Sequence, residues 1–113
     1  PDEKSVIFEK APNGIIGLET SVSLALTLVA RGHLTLTELI RKMSVNPSKI
    51  LNIPCGLNEA ATADITVIDL DTQTRVQAES FQSKSRNTPF DAWTLKGGPA
   101  VTIVNGKIVY QAS

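Results

Sequence analysis

The sequence has few of the residues that most often carry out catalysis. Its 113 residues include one cysteine, Cys55, and one histidine, His33. A single cysteine excludes an internal disulfide and favours a reducing compartment, so we expect a cytoplasmic protein. A metal site needs several ligands, and neither a second His nor a group of Asp or Glu at ligand spacing accompanies His33. We therefore predict no metal site in this chain, and we interpret His33 as a loop or cap residue rather than a catalytic one.

Net charge and long apolar runs are also lacking. Eleven basic and eleven acidic side chains cancel, so the charge balance does not support a nucleic-acid partner or an acidic membrane surface. The apolar run over residues 22–30 falls far short of the roughly 20 residues that a membrane span requires. We expect a soluble globular chain without nucleic-acid or membrane partners. It begins at Pro1 without an initiator Met, which suggests processing or a piece of something longer.

The most distinctive stretch is residues 11–20, with the sequence APNGIIGLET. Pro12 fixes its own φ, and Gly14 can adopt backbone angles closed to other residues. Glu19 then stands where a helix should begin, and we interpret its carboxylate as a helix cap rather than a general base. The pattern indicates a backbone-lined loop suited to an oxygen-rich ligand. An ordinary loop-to-helix junction is the alternative.

Three helices are predicted for the first half. Residues 20–31 are predicted to form a helix with apolar residues on most of its faces. Gly32 is predicted to end this helix, which places His33 in the following loop. Thr35 and Glu38 match a capping box at the start of a second helix. The pair Asn46-Pro47 predicts a third helix, with Asn46 as its cap.

The second half is predicted to form strands. Residues 64–70 are β-branched and short, residues 71–73 suggest a turn, and residues 74–76 and 93–95 suggest further pairing. Residues 77–92 are polar and irregular, a long connection that suggests a loop covering another surface.

A terminal hairpin is the clearest structural prediction. Asn105-Gly106 lies between two β-rich runs and favours a type I′ turn. In that register Ile103 would oppose Ile108, and Val101 would oppose Tyr110. Three helices followed by three or four strands would leave open sheet edges, so we expect most of the fold to lie N-terminal to Pro1 or on another chain.

Several motifs together resemble the C-terminal third of a dihydroorotase, the amidohydrolase-superfamily enzyme of de novo pyrimidine (UMP) biosynthesis. The motif SKSRNTPF is the most specific of them for dihydroorotase; the others are shared more widely with allantoinases and dihydropyrimidinases. The motifs are GIIGLET (14–20), Asn46-Pro47, ADITVID (63–69), SKSRNTPF (83–90) and TIVNGK (102–107).

The resemblance implies an α/β fold, namely the C-terminal part of a (β/α)8 metal-hydrolase barrel followed by strands of a small composite β-sandwich. Residues 1–62 would supply the last active-site loop and the closing helices of the barrel. Residues 63–113 would supply the sandwich portion with its C-terminal hairpin. The loop around Lys84 and Arg86 would strap the sandwich to the barrel, with both side chains as solvated charges.

The implied reaction is the reversible cyclisation of N-carbamoyl-L-aspartate to L-dihydroorotate. In this family zinc activates a hydroxide that attacks the ring amide carbon, and an Asp shuttles the proton. The family's metal-binding His residues, substrate-binding Arg and catalytic Asp all lie upstream of the matched region, so this chain alone would be inactive. The contact that transfers is substrate binding by the main chain of Asn13 and Gly14. Asn13 stands where relatives carry Pro or Phe, which a main-chain contact tolerates.

The expected partners are the N-terminal remainder of the same enzyme, the small-molecule substrate, further copies of the enzyme in a homo-oligomer, and aspartate transcarbamoylase. Two alternatives stay open within the superfamily: a segment of an allantoinase or dihydropyrimidinase, or a non-catalytic homologue that scaffolds aspartate transcarbamoylase. An independent module of 113 residues is the least favoured hypothesis.

Overall fold

The computed structural model describes residues 5–11 and 14–112, which run from a helical half into an antiparallel sheet. The helices are α1 (Ser21–Ala30), α2 (Leu36–Ile40) and α3 (Asn46–Leu51). The strands are β1 (Ile65–Arg75), β2 (Thr94–Val104) and β3 (Lys107–Gln111), in the spatial order β1-β2-β3. A π-helical turn (Arg41–Val45) joins α2 to α3, and short 3-10 turns cover Phe8–Lys10 and Ala78–Ser80.

Helix α1 ends where the sequence predicts. The Gly32 N–H donates to the Val29 carbonyl and the His33 N–H donates to the Leu28 carbonyl, both at 2.9 Å. This pair of bonds satisfies two carbonyls of the last turn, as in a Schellman motif. His33 is therefore an exposed helix-end residue.

The capping box at the start of α2 is confirmed. Thr35 Oγ1 accepts a hydrogen bond from the Glu38 N–H at 3.2 Å, and Glu38 Oε2 accepts one from the Thr35 N–H at 2.8 Å. The hydrogen bond from the Thr35 N–H is the main reason that the pKa of Glu38 is lowered. The two orphan donors at this helix end are thus satisfied reciprocally.

The prediction that Asn46 caps a separate third helix is wrong. Asn46 has helical backbone angles, φ −68° and ψ −47°, and the π-helical turn carries the chain into α3 without a break. Pro47 has no N–H to donate, and its ring crowds the carbonyl four residues earlier. The wider π-helical turn accommodates that proline at the start of α3, so the helical run continues through it.

The predicted turn at residues 71–73 is a bulge within one strand. Asp69 Oδ1 accepts hydrogen bonds from the N–H groups of Asp71 at 2.8 Å and Thr72 at 3.2 Å. Across the bulge, β1 advances from Asp69 to Gln73 while β2 moves only from Gly98 to Lys96. The same pairing makes residues 94–104 one strand, where the sequence suggested two.

The terminal hairpin is confirmed, but half of its predicted register is wrong. Asn105 and Gly106 have positive φ values of 50° and 74°, as a type I′ turn requires. Ile103 opposes Ile108 as predicted, whereas Tyr110 opposes Thr102 and not Val101. A bulge in β3 shifts the pairing by one residue, which moves every later side chain to the other face.

Helix α1 packs against β2 through very small residues. Leu26 and Leu95 are buried. A Cβ atom built on Gly97 would lie 2.6 Å from Leu26 Cδ1, and one on Gly98 would lie 3.2 Å from Ser23 Oγ. Gly97 also has a φ of +79°, so both space and backbone conformation require glycine there. This contact joins the helical half to the sheet.

The core of the described residues is small for the chain length. Its buried apolar members are Leu26, Leu39, Val76, Ala78 and Leu95. The radius of gyration is 16.3 Å, compared with about 13 Å for a compact chain of this length. Large apolar side chains are left exposed, among them Phe8 at 92%, Leu18 at 87% and Ile50 at 83%. The described surface therefore offers extensive apolar area for further protein to cover.

Replacing Gly97 with Ala is expected to lower the free energy of unfolding by about 3 kcal/mol, because a positive φ disfavours Ala and the new methyl group overlaps Leu26. Chemical denaturation of the complete protein measures the change. Gly106→Ala is the matched control, since Gly106 has a φ of +74° but open space around its Cβ position. Equal losses in the two variants would contradict the close contact with Leu26.

Candidate functional site

The loop that the sequence singles out begins at an exposed glycine. Asn13 lies outside the described residues, and Gly14 is described, with a φ of +66° and nothing within 4 Å of its Cβ position. We call residues 14–19 the site loop. It runs from this exposed glycine into the start of α1.

A second segment, residues 83–88, lies against the site loop, and we call it the strap. Asn87 Nδ2 donates a hydrogen bond to the Gly14 carbonyl at 2.8 Å. The Asn87 carbonyl in turn accepts from the Ile16 N–H at 3.0 Å. Asn87 thus holds two consecutive peptide groups of the site loop, although it lies 73 residues from Gly14.

Glu19 makes the other connection between the two segments. Its Oε1 accepts hydrogen bonds from the Ser83 N–H at 2.9 Å and from Ser83 Oγ at 2.8 Å. These two hydrogen bonds lower the pKa of Glu19, and the bond from the Ser83 N–H contributes more than the bond from the Ser83 hydroxyl. The interpretation of Glu19 as a helix cap is therefore wrong: Thr20 is the N-cap residue of α1 and makes no side-chain capping bond.

The strap is braced by its own polar groups. The Arg86 guanidinium donates to the carbonyls of Ser83 and Ser85, and the Asn87 N–H donates to Ser85 Oγ at 3.2 Å. The sequence predicts a solvated charge at Arg86. Its side chain is exposed, and its guanidinium also holds the strap backbone. Lys84 is exposed as predicted.

A buried threonine and an aromatic pair fix the base of the strap. Thr88 is buried, and its Oγ1 accepts a hydrogen bond from the Phe90 N–H at 3.3 Å. Phe90 packs edge-on against Trp93 with a centroid distance of 5.3 Å. The strap therefore leaves the sheet region in a defined direction, toward the start of α1.

The described residues do not fit a metal centre. No three His, Cys, Asp or Glu side chains come together there in a way that could hold a metal ion. Cys55 is exposed, in a surface depression with Ser44 and Ser48 that does not include Gly14. Within residues 5–11 and 14–112, no helix has the length and apolar character needed to cross a bilayer.

The polypeptide matches the amidohydrolase family over residues 6–109, and it belongs to that family. Within the family it is similar to dihydroorotases. It is 56% identical over 110 residues to the dihydroorotase of Syntrophus aciditrophicus, covering 96% of this chain and 26% of that protein. It is 50% identical over 113 residues to the dihydroorotase of Geobacter sp., covering 99% of this chain and 27% of that protein.

A solved structure has the same fold over most of this chain. The L-hydantoinase (dihydropyrimidinase) of Arthrobacter aurescens aligns with a TM-score of 0.84 and 37% identity, covering 91% of this chain and 24% of that chain. The resemblance to dihydroorotase expected from the motifs is thus confirmed, and the α/β fold agrees with that of a metal-hydrolase fragment. The chain spans about a quarter of the length of the curated relatives it matches.

Glu19→Gln is expected to lower the free energy of unfolding at neutral pH, because it weakens the attachment of the strap. The loss is expected to be smaller in acid. The folded-state pKa of Glu19 lies below its ordinary 4.5, so its stabilising contribution is complete above that value and is lost as the pH falls through the folded pKa. Urea unfolding of the wild type and the variant, from neutral pH to about pH 3, measures the difference.

Glu59→Gln is the control for this experiment, because Glu59 is an exposed carboxylate outside the strap and the site loop. The difference between wild type and Glu19→Gln should shrink in acid while the control difference stays near zero. A Glu19→Gln effect that is constant over the whole pH range would contradict a role for the carboxylate charge.

Proposed function

We propose that this chain is a segment of a dihydroorotase, the enzyme that reversibly cyclises N-carbamoyl-L-aspartate to L-dihydroorotate in de novo pyrimidine biosynthesis. The observation that carries the proposal is 56% identity to a dihydroorotase over 96% of the chain. The motif SKSRNTPF adds support, because its residues Ser83 and Asn87 are the ones that hold the site loop. A cytoplasmic location and a homo-oligomer are part of the same proposal.

We further propose that residues 1–62 complete a (β/α)8 barrel and that residues 63–113 contribute to a composite β-sandwich. Two observations support this arrangement. The described sheet has three strands, so both of its outer edges are available for pairing with additional strands. The exposed apolar side chains near both halves require cover from protein beyond the described residues.

In the assembled enzyme, the main chain of Asn13 and Gly14 would bind the substrate. Gly14 supports this role, since it is exposed and its positive φ shapes a turn without a side chain in the way. The described residues supply no metal cluster. We therefore propose that the zinc ligands and the catalytic Asp belong to the remainder of the enzyme, and that this segment alone is inactive.

A second candidate function is cyclic-amide hydrolysis of the hydantoinase or dihydropyrimidinase type. The observation that favours it is the TM-score of 0.84 and 37% identity with the L-hydantoinase. Both candidate reactions open or close a cyclic amide, so a backbone-lined site loop suits either one. The higher identity to dihydroorotases places this candidate second.

The complete protein is expected to interconvert N-carbamoyl-L-aspartate and dihydroorotate, and a chelator should abolish the activity until zinc is restored. Chromatographic assay of both compounds measures the reaction. Dihydrouracil and a 5-substituted hydantoin are the comparison substrates. Turnover of either one without turnover of dihydroorotate would overturn the first candidate in favour of the second.

Asn13→Ala should change KM by less than about threefold, because a main-chain contact does not depend on that side chain. Gly14→Val should raise KM for dihydroorotate by about tenfold, since a β-branched residue is strained at positive φ and the peptide would reorient. Steady-state kinetics on the complete enzyme test both. A large effect of Asn13→Ala with a small effect of Gly14→Val would contradict main-chain binding.

A further inference from the structure

We propose that Asn87 is a positioning residue: its side-chain amide fixes the Gly14–Ile15 peptide so that the Ile15 N–H is the donor presented to an oxygen of the substrate. The inference rests on the proposed function and extends it by one residue. It names the Ile15 N–H as a binding group beside the main chain of Asn13 and Gly14, and Asn87 as the residue that orients it. The substrate group would be a carbonyl or carboxylate oxygen.

The orientation follows from the geometry of one peptide bond. The Gly14 carbonyl points at Asn87 Nδ2, at 2.8 Å. The described residues contain no cis peptide bond, and in a trans peptide the C=O and the following N–H point in opposite directions. The Ile15 N–H therefore points away from Asn87 and the strap.

The hydrogen bonds of the neighbouring groups leave this donor available. The Ile16 N–H is taken by the Asn87 carbonyl at 3.0 Å, and the Gly14 carbonyl is taken by the Asn87 side chain. Within the described part of the chain, no acceptor pairs with the Ile15 N–H, and Ile15 is 54% exposed. Of the two N–H donors on these peptides, it is the one without a partner among the described residues, so a ligand oxygen can take it.

The two connections of the strap make the arrangement rigid. Asn87 holds one end of the site loop, and Glu19, bonded to Ser83, holds the other. Rotation of the Gly14–Ile15 peptide would break the hydrogen bond from Asn87 Nδ2 to the Gly14 carbonyl. It would also strain the hydrogen bond from the Ile16 N–H to the Asn87 carbonyl. A donor fixed before the ligand arrives binds more tightly than one that must be ordered on binding.

Asn87→Asp and Asn87→Ala in the complete enzyme test the positioning role. The aspartate keeps the size of the side chain but cannot donate to the Gly14 carbonyl. Both variants are expected to raise KM for dihydroorotate by about tenfold and to lower kcat by less than about threefold. Amide hydrogen exchange over residues 14–17, followed by mass spectrometry, should become faster in both.

Lys84→Ala is the matched control, because Lys84 is an exposed residue of the same strap. It should leave KM and the exchange rate at wild-type values. An unchanged KM and exchange rate in both Asn87 variants would overturn the proposal, and so would an equal change in Lys84→Ala.

A crystal structure of the wild-type enzyme with dihydroorotate tests the donor directly and does not depend on a folded variant. The Ile15 N is expected within about 3 Å of a ligand oxygen. A Gly14 carbonyl turned toward the ligand would overturn the inference. If the enzyme instead takes a hydantoin, the same distance measured to that ligand decides the inference, while the dihydroorotase proposal alone fails.

Discussion

The close approach of α1 to β2 is the constraint on which the other features depend. With glycine at positions 97 and 98, the helix lies so near the strand that a methyl group at Gly97 would overlap Leu26. Strand β2 is the central strand, so this single contact fixes the helical half against the sheet. The strap lies in the connection between β1 and β2 and extends to the start of α1. The strap meets Glu19 and Gly14 at and just before the start of that helix.

Short-range features of the fold could be predicted from the sequence. The helix stop at Gly32, the capping box of Thr35 and Glu38, and the Asn105-Gly106 turn each depend on residues a few positions apart. Their chemistry is local, so the residue types suffice to indicate them.

Features set by pairing between segments could not be predicted in the same way. The Asp69 bulge resembles a turn in the sequence, because an Asp that accepts from the next N–H groups is common to both. Only the presence of β2 alongside makes it a bulge. The shifted register at Tyr110 likewise depends on the pairing of β2 with β3, which local patterns do not specify. The same holds for the site. The special backbone conformation of Gly14 could be predicted from its residue type, whereas no residue near Glu19 in the sequence indicates that Ser83 is its hydrogen-bond partner.

The separation of the bonded residues also dictates an order of events as the chain folds. Glu19 and Ser83 are 64 residues apart, and Gly14 and Asn87 are 73 apart. Bringing such distant groups together is entropically unfavourable until intervening structure has closed most of the loop. We therefore expect the strands to pair before the site loop acquires its final shape. The ligand-binding geometry is then among the last parts of the molecule to form, and partial unfolding would disrupt it before the helices and turns are lost.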